Sequence, residues 1–256
     1  TCARKAEEDA VESVPPARVN AQPVAPDDIA ALGIAGDGGE TDDTDAINAA
    51  LVEQDSLLLP SGGRYRVEGG TIVVPPGRRL AGRWSFAYTG VPQEGTRLIA
   101  TGDGRTDPVV RLGEGACLTS LAVRGTEHDP AHDGVVLDGR NLLREVNILH
   151  CRTGIDCGYS GVNRIECCNI HDNSGYGIAR CVDSIVSLNY VNVNGAGGIH
   201  LPAGGRTTTS SPRTSWSGTT DTASTQRMPS TMCCPATIST GTGDPGSGSR
   251  DVSAPS

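Results

Sequence analysis

The chain has 256 residues, with 34 Gly, 16 Pro and only 3% aromatic side chains, a balance that suits many short strands and turns rather than a conventional globular core. A formal net charge of -9 argues against general affinity for nucleic acid or for an anionic membrane surface. No apolar run approaches the roughly 20 residues needed to span a bilayer.

In chain order, residues 1–26 are rich in Ala, Glu, Pro and Val without a sustained period, and Pro15, Pro16, Pro23 and Pro26 predict an extended leader outside the fold. A short helix is predicted over residues 42–51. Asp42, Asp43 or Thr44 can cap it, and Ala46, Ile47, Ala50 and Leu51 form its apolar stripe. Residues 57–60, 62–67 and 71–74 read as short strands separated by turns.

The run GDGGETDDTDAINAAL at residues 36–51, followed by LLLPSGGRYRV at residues 57–67, resembles the amino-terminal signature of the pectate-lyase-like superfamily. The resemblance implies an all-β fold, a right-handed parallel β-helix with a short amino-terminal capping helix, and a polysaccharide as partner. It leaves the reaction open, because lyases, glycoside hydrolases, uronate epimerases and phage tailspikes share this beginning. It also implies an extracellular or cell-surface location, although Thr1 is followed by no signal-peptide core.

An internal repeat points to the same coil independently. Gly134-Val135, Gly154-Ile155, Gly177-Ile178 and Gly198-Ile199 recur at 20, 23 and 21 residues, and a second apolar column, Val123, Ile148, Ile170 and Val193, recurs at 25, 22 and 23. Side chains alternate along a strand, so Val135, Ile155, Ile178 and Ile199 are expected inside and Val136, Asp156, Ala179 and His200 outside. The helix would cover the first coil and blunt its open edge. Asn147, Asn169 and Asn192 precede members of the second column and are expected to stack as a corner ladder. The nine cysteines form no CxxC pair and no zinc spacing, so no metal site is expected. Cys151, Cys157, Cys167, Cys168 and Cys181 fall among apolar repeat positions and read as small buried hydrophobes.

The coil is expected over residues 27–205. Beyond it, 23 of the 51 residues at 206–256 are Ser or Thr and Leu is absent, which reads either as a disordered Ser/Thr stalk or as an out-of-frame product. In the shifted frame Thr220 to Ser224 can be reread as Asn-Gly-His-Gly-Ile, and apolar residues reappear at positions 224 and 247, continuing the period from Ile199. On that reading the coil is truncated at its carboxyl end.

The candidate catalytic residues are Asp156, His200, Arg180 and Asp133, with His171 and Asp172 as substrate contacts. Glycoside hydrolysis needs two carboxyls, for which Asp133, Asp156 and Asp172 are available. β-Elimination of a polyuronate needs a base together with Ca²⁺ or arginine to stabilise charge, and Arg180, Arg164 and His200 suit those roles. Asp156 and His200 are expected two coils, roughly 10 Å, apart. The segment from His128 to Asp133 reads as a loop that interrupts the repeat. Between residues 107 and 205 there is no Asn-Thr-Asp, Asp-Asp or Gly-His-Gly of the polygalacturonase-like kind, and Asp129-Pro130-Ala131-His132 departs from the Asp-Pro-His of the epimerases. A lyase or glycoside hydrolase is the leading class. A non-catalytic carbohydrate-binding or adhesion β-helix is the alternative.

Overall fold

The computed structural model describes residues 29–83, 95–102, 104–126 and 130–202 and the strand segments 208–210 and 216–217. The expected leader and most of the Ser/Thr-rich tail lie outside the described residues, as do His128 and Asp129. The rest forms a parallel β-helix, with six three-stranded turns following a first coil that carries one α-helix near the amino end.

In the first coil β1 (Asp37–Asp42) leads into α1 (Thr44–Glu53) and β2 (Ser56–Leu58). Later coils replace the helix by a strand. The second carries β3 (Arg64–Val67), β4 (Ile72–Val74) and β5 (Arg79–Ala81), and the third β6 (Arg97–Ala100), β7 (Val110–Leu112) and β8 (Cys117–Thr119). The fourth has β9 (Ala122–Arg124), β10 (Val135–Leu137) and β11 (Leu142–Arg144), and the fifth β12 (Asn147–Leu149), β13 (Ile155–Asp156) and β14 (Arg164–Glu166). In the sixth are β15 (Asn169–His171), β16 (Tyr176–Ala179) and β17 (Ile185–Ser187), and in the seventh β18 (Tyr190–Asn192), β19 (Gly197–Ile199) and β20 (Thr208–Ser210), after which comes β21 (Trp216–Ser217).

Equivalent strands stack into three parallel sheets. Sheet I has the order β1-β3-β6-β9-β12-β15-β18-β21, sheet II β19-β16-β13-β10-β7-β4, and sheet III β2-β5-β8-β11-β14-β17-β20. Strand pairing thus continues past residue 205, where β20 joins β17 and β21 joins β18.

The amino-terminal signature works through its carboxylates and one ring. Asp42 Oδ1 accepts hydrogen bonds from Thr44 N and Glu68 N, both at 3.1 Å, and Oδ2 accepts from Gly69 N at 2.8 Å, which ties the first coil to the second. Asp43 occupies the helix N-cap position, but its buried carboxylate turns back to Ala35 N at 2.6 Å. The Tyr65 ring lies inside, so close to Gly36 and Gly63 that a Cβ on either would collide with it. This explains two of the motif's glycines, Gly36 and Gly63.

α1 takes the place of a sheet II strand and packs against β4. Its Asn48 side chain donates to Thr71 O at 2.9 Å and accepts from Val73 N at 2.8 Å. One amide therefore stands in for a neighbouring strand and satisfies edge groups that would otherwise template aggregation. The expected cap is present, and this is how it works.

Val135, Ile155 and Ile178 are fully buried, with Ile199 packed against the same core. Burying each such side chain contributes about 1.5–3 kcal/mol. The glycines of the repeat have a steric cause. A Cβ at Gly154 would meet Gly177 O and Ile170 Cγ2, both at 2.6 Å, and one at Gly177 would meet Val191 Cγ1 at 2.7 Å.

Three expectations need correction. In sheet I the inward residue opposite Ile170 is Val191, whereas Val193 is 50% exposed. Asn147 pairs with Asn169 and Asn169 with Tyr190, while Asn192 pairs with His171, so the three asparagines do not share a column. They lie in strands. The corners carry other buried asparagines: Asn163 Oδ1 accepts from Asn141 N at 3.1 Å, Asn194 Oδ1 from Asn173 N at 3.2 Å, and Asn189 Oδ1 from Cys168 N at 2.8 Å. Third, Cys167 is exposed, although Cys151, Cys157, Cys168 and Cys181 are buried as expected.

Corner geometry explains all three corrections. Four III–I corners begin with a left-handed residue, Ser120, Glu145, Cys167 or Leu188, at φ of 56, 57, 54 and 58°. The following Leu121, Val146, Cys168 or Asn189 is buried. His150, Asp172 and Val193, at φ of 56, 53 and 49°, repeat this at the I–II corner, ahead of buried Cys151, Asn173 and Asn194.

Replacing Gly154 by Ala should therefore destabilise the coil by about 1–3 kcal/mol through overpacking. The same change at Gly161, where a Cβ meets nothing closer than 3.4 Å and the backbone is not left-handed, should stay within about 1 kcal/mol of neutral. Urea unfolding midpoints of the two variants check the difference.

Candidate functional site

The I–II corner gathers a ridge of titratable groups along successive coils, in two clusters. In the first, the Asp133 carboxylate accepts two bonds from Arg152, from Nε at 3.1 Å and Nη2 at 2.9 Å. Beside it His132 is 1% exposed, and its Nε2 has no hydrogen-bond partner among the described residues. Burial holds the His132 imidazole below its ordinary pKa, and the Arg105 guanidinium adds to this. Arg105 itself is committed to the chain, donating to Val67 O, Asp107 O and Pro108 O, each at 3.0 Å. With Glu68, Thr101 and Asp107 it lines a polar cleft over the second and third coils.

The second cluster takes one residue from each of three consecutive coils: Arg124 at the end of β9, His150 after β12, and Asp172 after β15. All three are half-buried. His150 N donates to Asp172 O at 3.2 Å, the stacking contact that aligns the two corners. Burial pushes the His150 pKa down, the neighbouring Arg124 charge does the same, and Asp172 opposes them. His171 is 2% exposed, with Nδ1 at 2.8 Å from Asp172 Oδ2 and Nε2 at 3.1 Å from Asn147 Oδ1. The two clusters meet at Gly125, where a Cβ would touch both the His150 carbonyl and His132 Nε2.

The candidates read from the sequence thus fall in different places. Asp133, His171 and Asp172 lie along the ridge. Asp156 sits on the outer face of sheet II, in register with Val136 and Ala179. It is only 4% exposed because Arg180 covers it, donating from Nε to Oδ1 at 2.6 Å and from Nη2 to Oδ2. His200 follows β19, two strands from β13 as expected, and stacks on Tyr176 with ring centroids 4.8 Å apart. Asp156 and His200 share a face and are not brought together. Arg164 lies on sheet III, paired with Glu166 at 2.8 Å, away from the ridge.

Arg124 and His150 escaped the sequence reading. The available signal was positional: His150 and Asp172 immediately precede buried Cys151 and Asn173 at the second column's own spacing of 22. Among the described residues no three His, Cys, Asp or Glu side chains group as a metal site. None of their helices is long and apolar enough to cross a membrane.

No protein-family model matches the chain, and no curated protein matches it. Among solved structures it is similar to the Agl-KA catalytic domain, at 14% identity and a TM-score of 0.51, over 72% of this chain and 34% of that one. The chain therefore spans about a third of that protein's length, and the likeness is one of fold. The A-module of the Azotobacter vinelandii mannuronan C-5 epimerase AlgE4 aligns over 67% of this chain and 72% of its own, at 14% identity and a TM-score of 0.31.

The depressed histidines imply a pH-dependent stability. His132 and His150 have folded pKa values below the ordinary 6.5, so below that pH the unfolded chain binds more protons than the folded one and stability falls. The melting temperature should hold above about pH 7 and drop as pH falls through 6.5, before carboxylates near pH 4 contribute. Melts of His132→Asn across this range should show a smaller drop between pH 6.5 and 5 than the parent.

Proposed function

We propose that the chain acts on a uronic-acid-containing polysaccharide, lying on the outer face of sheet II and the adjoining I–II corner, by removing the proton next to a sugar carboxylate. The observation that carries this reading is the gathering of Arg124, His150 and Asp172 from three consecutive coils, with the His150 pKa held down by burial and by Arg124. An imidazole so placed is in its basic form at neutral pH, and the guanidinium next to it can hold the substrate carboxylate as charge builds on it. Asp172 and His171 fix the corner from the following coil. Buried His171 is a positioning residue on this reading.

Hydrolysis by two carboxyls fits less well. Asp133 and Asp156 each already accept two N–H bonds from an arginine, so neither is placed to carry and deliver a proton to a leaving sugar. A Ca²⁺ shared between substrate carboxylates and Asp172 would do work similar to that of Arg124. An extracellular or cell-surface location belongs to the same proposal. The fold likeness to a catalytic domain is consistent with it.

Incubating the purified chain with polygalacturonate, alginate and a neutral glucan, with and without Ca²⁺, tests the proposal. Unsaturated sugar ends should form from a polyuronate only, with the acid limb of the pH profile below 6.5. His150→Ala should lower the rate by about 10²–10⁴-fold. New reducing ends without unsaturation would identify a hydrolase instead, and binding without cleavage an adhesion protein.

A further inference from the structure

The II–III corner of the fifth coil is longer than its neighbours, with seven residues between β13 and β14 against four between β10 and β11. It holds two non-glycine residues in the left-handed region, Tyr159 at φ 62° and Val162 at φ 64°. A β-branched residue rarely adopts that conformation, so the corner is held there by its surroundings. Gly158 N donates to Asp156 Oδ1 at 2.9 Å, Ser160 Oγ to Leu137 O at 3.0 Å and to Cys157 O at 2.5 Å, and Asn163 Nδ2 to Ser160 O at 2.8 Å.

These bonds present apolar surface to solvent: Tyr159 is 58% exposed and Val162 65%. Arg180 lies over the Tyr159 ring, its Cζ 5.4 Å from the centroid. Its Nε and Nη2 are locked onto Asp156, and among the described residues Nη1 makes no hydrogen bond. A rigid tyrosine face beside a pre-oriented guanidinium is a binding element whose ordering cost is met before the ligand arrives. Sheet II strands of two to four residues separate this corner from the I–II corner by about 10 Å, with the column of Val136, Asp156 and Ala179 between the two banks.

We propose that Tyr159 and Arg180 form a sugar subsite on the bank opposite the ridge, the tyrosine face stacking on a sugar ring and Arg180 Nη1 binding the carboxylate of a uronate. The subsite rests on the reading that an acidic polysaccharide lies along sheet II. Asp156 is then a positioning residue, which aims the guanidinium.

Calorimetric titration of the full chain carrying His150→Ala, in which turnover should be slowed, with an oligogalacturonate and with a neutral glucan oligomer of equal length tests this. Oligogalacturonate should bind. Adding Tyr159→Ala should weaken it about tenfold, the effect of roughly 1.4 kcal/mol of lost stacking, and Tyr159→Trp should restore it. Arg180→Lys should weaken the acidic oligomer more than the neutral one. Unchanged affinity in the Tyr159→Ala form, equal loss in the Ala and Trp forms, or no binding to either oligomer would overturn the subsite. Tight binding together with undiminished elimination in the His150→Ala form would overturn only the catalytic reading.

Discussion

Everything in this molecule depends on the hydrogen bond from one coil to the next. A sheet II strand here has two to four residues, too few to be stable alone, and its backbone groups find their partners one coil above and one below. Two demands follow. Every coil must repeat the same corner geometry, or the strands lose register, and the first coil must end the stack without leaving an open edge. The left-handed corners at Glu145, Cys167 and Leu188 meet the first demand, and the Asn48 amide laid across β4 meets the second.

The same constraint builds the site. In a stacked coil, neighbouring functional groups come from residues about one coil apart in sequence, so Arg124, His150 and Asp172 form one cluster although 26 and 22 residues separate them. The ion pairs follow the same rule: Arg152 reaches back 19 residues to Asp133, and Arg180 back 24 to Asp156. Such pairs serve to orient groups. At partly exposed positions the net stabilisation from an ion pair is small, whereas a guanidinium held by two bonds keeps a fixed aim.

Much of the fold was legible in the sequence because burial in a coil is periodic. Gly154-Ile155 and Gly177-Ile178 carry the inward column in plain view, and the helix with its apolar stripe was placed within two residues. The register near Val191 was not legible. In Tyr190-Val191-Asn192-Val193-Asn194 both valines satisfy an alternating pattern, and only the left-handed corner at Val193 decides between them. The corner asparagines were misassigned for the same reason. At the candidate site, outward alternation found Asp156, but alternation says nothing about cover, and Arg180 one coil on removes that carboxylate from solvent. Alternation gives no sign of His150, a left-handed corner residue, or of Arg124 at the end of β9, whose neighbours in the cluster come from later coils.

On the proposed reading a uronate lies against Arg124 with its acidic proton toward His150. A crystal structure of His150→Ala soaked with an oligogalacturonate would show this. Sugar density is expected along the outer face of sheet II, with a carboxylate bonded to the Arg124 guanidinium and the carbon next to that carboxylate facing the side chain of residue 150. Density confined to sheet III, or a chain on sheet II whose carboxylates point away from Arg124, would contradict it.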